Sequence, residues 1–84
     1  MKSYAYVPEQ VCSTKINFSI DDVGNLHDVK FVGGCPGNLS AISKLVEGKN
    51  AEEIANILCG NLCGKRPTSC ADQLSHAIYD ALND

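Results

Sequence analysis

The residues of this chain best suited to metal or redox chemistry are its cysteines, five among 84 residues. Five thiols cannot all pair within one chain, and in a reducing compartment cysteines serve as metal ligands or redox-active thiols more often than as structural disulfides. Spacing alone is a weak signal, because no pair of Cys-x2-Cys knuckles is present. The predicted elements must therefore decide which cysteines could share a site: Cys12, Cys35, Cys59, Cys63 and Cys70.

Length and charge narrow the class of protein. A chain of 84 residues and 9.0 kDa predicts one domain, residues 1–84, with a core that buries only about 60% of the unfolded surface. The net charge of −3 argues against a dedicated nucleic-acid binder. We find no apolar run of about 18 residues for a membrane span, and no apolar stretch of signal-peptide length at the N-terminus. We therefore expect a soluble, cytoplasmic protein that contacts neither nucleic acid nor membrane.

The first third of the chain has the pattern of β-strands. Residues 4–7 form a short aromatic strand that Pro8 ends, and we place this strand at a sheet edge. Residues 11–20 then alternate between apolar and polar, residues 21–25 have turn composition, and residues 27–33 alternate again. This predicts an antiparallel meander with one inward face on its central strand: Cys12, Thr14, Ile16, Phe18 and Ile20.

The register of the hairpin brings two cysteines together. Inward residues must face inward partners, which places Phe18 opposite Val29 and Ile16 opposite Phe31. The same register, continued to the other end of the strands, places Cys12 opposite Cys35. Side chains of directly opposed residues start roughly 5 Å apart, which is a ligand or disulfide distance.

The remainder of the chain has the pattern of helices. Apolar residues at helical spacing precede a stop at Gly48, Asn50 followed by Glu53 predicts a capping box for a second helix, and Ser69 followed by Asp72 predicts one for a third. The predicted fold class is therefore α+β: an antiparallel three-stranded β-meander followed by three helices packed on one face.

These elements divide the cysteines into four and one. Cys70 is the first residue of the third helix, where the dipole and free amides favour a thiolate. Cys35 lies at a strand-to-helix junction, and Cys63 lies in the loop leading to Cys70. We expect these three to meet Cys12 at one end of the sheet. Cys59, near the end of the second helix, is expected to be a small core residue rather than a ligand.

A four-thiolate zinc site of this kind carries a net charge of −2. Helix N-termini together with Lys65 and Arg66 could offset that charge. The plain alternative is five buried thiols with no metal. The two histidines are expected to lie outside any such site, with His27 partly exposed at a strand end and His76 on the surface.

Three segments of the chain resemble a known family. Residues 34–39 (GCPGNL), 63–64 (CG) and 68–74 (TSCADQL) resemble the TSCPD domain, which occurs as small proteins and at the C-terminus of some ribonucleotide reductases. The family pattern places cysteines at the positions of Cys12, Cys35, Cys63 and Cys70 and leaves Cys59 outside. Ala71 stands where the name-giving motif has proline, at an early helical position that tolerates either.

A more distant similarity is to iron–sulfur cluster scaffold proteins, which have a comparable strand and helix order. Cys12, Cys35 and Cys70 match the three scaffold cysteines, and the resemblance implies the same fold. Thr14 stands where scaffolds have an aspartate that they use in cluster exchange, and Ser69 stands where they commonly have a histidine. The fourth ligand would then be Cys63, and the site would be tighter and less labile.

Three functions remain open from the sequence. The first is a zinc-binding accessory domain that works beside a ribonucleotide reductase or another redox protein. The second is an iron–sulfur or sulfur-handling scaffold, and the third is a dithiol redox partner of a reductase. A chain of 84 residues is too small to reduce ribonucleotides alone, so we do not expect it to be an enzyme by itself.

Overall fold

A computed structural model describes residues 1–8, 11, 13–34, 36–61 and 68–83 of the chain. Three antiparallel strands in the order β1-β2-β3 are followed by three helices, which confirms the predicted α+β class. The elements are β1 (Lys2–Tyr6), β2 (Ser13–Ile20), β3 (Leu26–Gly33), α1 (Pro36–Val46), α2 (Ala51–Leu58) and α3 (Cys70–Leu82). Within the described ranges, no helix has the length and apolar character needed to cross a membrane.

The core lies between the sheet and the helices. Ile16 from β2 and Leu26 from β3 are fully buried against Leu74 and Ile78 of α3, and Ala55 of α2 fills the space beside them. Burial of these apolar side chains, at about 25 cal/mol per Å², is what holds the helices on the sheet.

Both predicted N-cap residues start their helices as expected. The Asn50 side chain accepts a hydrogen bond from the Glu53 N–H at 2.9 Å, and the Ser69 hydroxyl accepts one from the Asp72 N–H at 3.1 Å. Each cap satisfies an amide that the helix itself leaves without a partner. The first residue of α3 is therefore Cys70, as the sequence predicts.

The predicted strand register holds around Ile16 and shifts on both sides of it. Towards the turn, a shift between Asn17 and Ser19 pairs Ser19 with His27, one residue away from the predicted register. Ile16 pairs with Phe31 as expected, but Ser13 pairs with Gly33 because β2 carries one extra residue at Thr14. This β-bulge reverses the two side chains. Thr14, predicted to face inward, is exposed, and Ser13 is only 3% exposed.

The bulge at Thr14 affects the predicted pairing of Cys12 with Cys35. The register in which Cys12 lies opposite Cys35 shifts by one residue at the last described pair of β2 and β3. Cys12 and Cys35 themselves lie outside the described residues, so their pairing stays a prediction.

The beginning of β3 is bound to the connection between α1 and α2. The Leu26 N–H donates to the Lys49 carbonyl at 2.8 Å, and the Leu26 carbonyl accepts from the Gly48 N–H at 2.7 Å. This attachment covers the outer edge of β3 at its start only.

Candidate metal centre

The first residue of α3 contacts the first residue of β2. The Cys70 Sγ lies 3.2 Å from the Ser13 Oγ, across 57 residues of chain. Cys70 is half-buried, and it is the first residue of α3. The contact depends on the bulge at Thr14, because regular alternation would turn Ser13 away from the helices.

A buried carboxylate organises the chain before α3. Asp72 is 5% exposed, and its Oδ1 accepts a hydrogen bond from the Gly60 N–H at 2.7 Å. Its Oδ2 accepts from the Thr68 hydroxyl at 2.5 Å, and the Ser69 hydroxyl donates to the Asn61 carbonyl. Residues on either side of positions 62–67 are thus bonded to the first turn of α3 and its N-cap.

Asp72 remains ionised although it is buried. Burial raises the pKa of this carboxyl, but hydrogen bonds from Thr68 and from the Gly60 N–H, with the nearby His76, outweigh it and bring the pKa below its ordinary value of 3.8. The negative charge strengthens each of these hydrogen bonds. Sequence reasoning assigned Asp72 only to the capping box. Its contacts with Gly60 and Thr68 were missed, because no local pattern signals a contact across 12 residues.

The described residues bring together the chain neighbours of all four predicted ligands. Ser13 follows Cys12, Gly33 precedes Cys35 by two residues, and the Gly60–Asn61 end of the α2–α3 connection leads towards Cys63. Ser13 pairs with Gly33 and contacts Cys70.

Only Cys70 of the predicted ligands has described surroundings, because Cys12, Cys35 and Cys63 lie outside the described residues. Within the described ranges, no group of three or more His, Cys, Asp or Glu side chains is placed to hold a metal ion. A cysteine sulfur is a donor type that zinc accepts, and Cys70 is the one predicted ligand whose neighbour, Ser13, the structure describes.

Cys59 differs from the expectation for a buried thiol. It is exposed and forms the C-cap of α2, where its N–H donates to the Ala55 carbonyl at 3.0 Å. The expected place of Cys59 in the core is therefore wrong, and its exclusion from the ligands stays a prediction.

A second polar cluster lies at the other end of β2. The two ring nitrogens of His27 each lie 2.7 Å from a carboxylate oxygen, Nε2 from Asp21 and Nδ1 from Glu47. Only an imidazolium donates from both nitrogens. Hydrogen bonds to Asp21 and then to Glu47 raise the pKa of His27 above its ordinary value of 6.5. His27 is partly exposed, as predicted.

We expect this cluster to make stability depend on pH. Asp21, held mainly by the Asn25 N–H, and Glu47, held mainly by the Asp28 N–H, have lowered pKa values, so their contributions are complete above their ordinary values of 3.8 and 4.5 and fade in stronger acid. The contribution of His27 is complete below pH 6.5 and is lost as the pH rises through its raised pKa. The cluster therefore stabilises the fold most between pH 4.5 and 6.5.

The measurement is the melting temperature as a function of pH for the wild-type chain and for His27→Gln. The difference between the two should be largest in that window and should shrink above it. His76→Gln is the matched control, because His76 is exposed and has one carboxylate neighbour instead of two. A His27→Gln difference that is the same at every pH would contradict the assignment.

The fold and the half-buried cysteine at the start of α3 define a small α+β domain with a cysteine-bearing end. A family model for the TSCPD domain matches residues 2–82, and the chain belongs to this family. Searches of curated proteins and of solved structures find no significant match.

Proposed function

We propose that the chain is a zinc-binding accessory domain whose metal is held by Cys12, Cys35, Cys63 and Cys70. The observation that carries this proposal is the 3.2 Å contact between Ser13 and Cys70, because it joins the strand that begins after Cys12 to the helix that begins at Cys70. When bound, zinc would cross-link two strands, a loop and a helix in a domain with a small core.

The surroundings of Thr14 favour zinc over a transferable iron–sulfur cluster. Thr14 is exposed, and its hydroxyl donates to the Val32 carbonyl at 3.2 Å, so this position contributes neither a carboxylate nor an inward-facing side chain. A closed four-thiolate set is typical of structural zinc. The cluster or sulfur-handling scaffold and the dithiol redox partner are the alternatives that the experiment must separate.

The partner that we propose is a ribonucleotide reductase or another redox protein in the cytoplasm. This part rests on the family resemblance, in which the domain is appended to reductases. The chain would then act as an accessory unit and not as an enzyme by itself.

The experiment that tests the function is purification of the full chain under nitrogen, followed by elemental analysis and a visible spectrum. We expect one zinc per chain and no colour. A brown protein with charge-transfer absorption would replace zinc by an iron–sulfur cluster. A metal-free protein with a disulfide that thioredoxin reduces would support the redox partner instead.

Replacement of Ser13 by alanine tests the contact directly. Loss of a hydrogen-bonding neighbour of a metal ligand typically costs about 10–100-fold in metal affinity, and we expect Ser13→Ala to weaken zinc binding by about 10-fold. Competition with a chromogenic chelator measures the affinity. Ser19→Ala is the matched control, because Ser19 is a buried serine on the same strand beside Ser3 instead of Cys70. Equal affinities for the two variants would remove Ser13 from the site.

A further inference from the structure

An open groove of about 620 Å³ lies between β3 and α1. Its strand side includes four consecutive residues, 28–31, and its helix side includes Leu39, Ser43 and Lys44. Consecutive strand residues point to opposite faces of a sheet. A groove that touches all of them therefore runs along the edge of the strand, and one side of a helix forms its opposite wall.

β3 is an edge strand, and its edge is covered only at the start. The Leu26 backbone bonds to Gly48 and Lys49, and the Asp28 N–H donates to the Glu47 Oε1 at 2.9 Å. Beyond Asp28, β2 is the sole backbone partner of β3 in the described part of the chain. The main chain of residues 29–33 is thus a template to which an extended segment can add as a further strand.

The charges of the groove favour an acidic occupant. Lys30 and Lys44 are exposed, and neither forms an ion pair with a described residue. Glu47, the carboxylate nearest the end of α1, is already engaged by His27 and by the Asp28 N–H. Two available ammonium groups therefore face one available carboxylate, that of Asp28.

The floor of the groove is apolar. Val29 is 3% and Leu39 is 6% exposed, and Phe31 is half-buried between strand and helix. The volume lies within the range of roughly 300–1,000 Å³ that is typical of ligand sites. It accommodates an apolar side chain on the floor with a backbone beside β3.

We propose that this groove binds an extended acidic segment of a partner protein, which adds as a strand to the outer edge of β3. Its backbone pairs with residues 29–33, an apolar side chain rests on Val29 and Leu39, and carboxylates meet Lys30 and Lys44. The proposal goes beyond metal binding, because none of the residues that line the groove is a predicted ligand, although Gly33 and Gly34 at one end of it lie beside the candidate metal centre.

The test begins with a random dodecapeptide phage library selected on the immobilised full chain. We expect enriched peptides to combine apolar residues with aspartate or glutamate. A synthetic copy of the leading peptide should then slow amide hydrogen exchange in residues 29–33 and shift the NMR signals of α1. Lys30→Glu with Lys44→Glu should weaken its binding by at least 10-fold. Lys2→Glu on β1, a single exchange of the same kind at the other edge of the sheet, should not weaken it.

Several results would overturn the proposal. These are the absence of any enriched peptide, enrichment of basic peptides, protection that maps to β1 instead of β3, or affinity that Lys30→Glu with Lys44→Glu leaves unchanged. A dimer in sedimentation whose slowed exchange covers residues 29–33 would assign the edge to a second copy of the chain instead. Zinc content measured on the same variants should equal that of the wild type, which separates this test from that of the metal site.

Discussion

Replacing Cys70 by serine is expected to remove zinc from the protein. A serine hydroxyl does not ionise near neutral pH and is a poor zinc ligand, whereas cysteine sulfur is a preferred one. Loss of a neighbour of a ligand costs about 10–100-fold in affinity, so we expect loss of a ligand to cost more than about 100-fold. Elemental analysis after gel filtration should find close to no zinc in Cys70→Ser.

Cys59→Ser is the matched control for this prediction. Cys59 is exposed at the end of α2, and the same atom-for-atom exchange there should leave one zinc per chain. Serine is well tolerated at the first residue of a helix, as in Cys70→Ser, and at a C-cap, as in Cys59→Ser. Neither variant is therefore expected to lose its helical circular dichroism signal. Full stoichiometry and unchanged affinity in Cys70→Ser would show that Cys70 is not a ligand.

Replacing Asp72 by alanine is expected to destabilise the fold by about 3 kcal/mol. The change removes the acceptor for the Gly60 N–H and for the Thr68 hydroxyl, in a place where Asp72 is 5% exposed. Hydrogen bonds to a charged group contribute roughly 1.5–3 kcal/mol each, and a buried donor left without a partner costs about 1–3 kcal/mol. For a domain of this size, the melting temperature should fall by more than about 10 °C.

Two further variants show whether the carboxylate itself is responsible. Asp72→Asn keeps one side-chain oxygen as an acceptor and should cost less than Asp72→Ala. His76→Ala removes the exposed partner of Asp72, whose Nε2 lies 3.2 Å from Oδ2, and should cost less than about 1 kcal/mol. Urea unfolding followed by circular dichroism gives the free energies. A change below about 0.5 kcal/mol in Asp72→Ala would contradict the assigned role, since that is the range of ordinary surface substitutions.

Asp72 also connects stability to the candidate metal centre. Its bond to Gly60 and the bond from Ser69 to Asn61 attach the two residues that precede Leu62 to the start of α3, and Cys63 follows them in the chain. If Cys63 is a ligand, Asp72→Ala should weaken zinc binding in addition to lowering stability. Zinc affinity should be measured in Asp72→Ala and in a core variant of equal destabilisation, either Ile78→Val or Ile78→Ala. The comparison separates a direct effect on zinc binding from the effect of lower stability.

The elements and their starting points could be predicted from the sequence because their signals are local. Alternation along β2 and the caps at Asn50 and Ser69 each depend on a few neighbouring residues, and the structure confirms the caps and the central pairing of Ile16 with Phe31. Family membership also followed from short motifs, and it is confirmed over residues 2–82.

The bulge at Thr14 and the reach of Asp72 were decided only by the tertiary structure. One extra residue in β2 turns Ser13 inward to Cys70 and Thr14 outward, and the spacing of apolar residues carries no sign of it. Asp72 has the same capping pattern as Glu53, yet burial directs its carboxylate to Gly60. The sequence by itself thus determined which helix begins at Cys70. Which side chains surround that thiol depended on strand register and burial, because both arise from contacts between residues far apart in the chain.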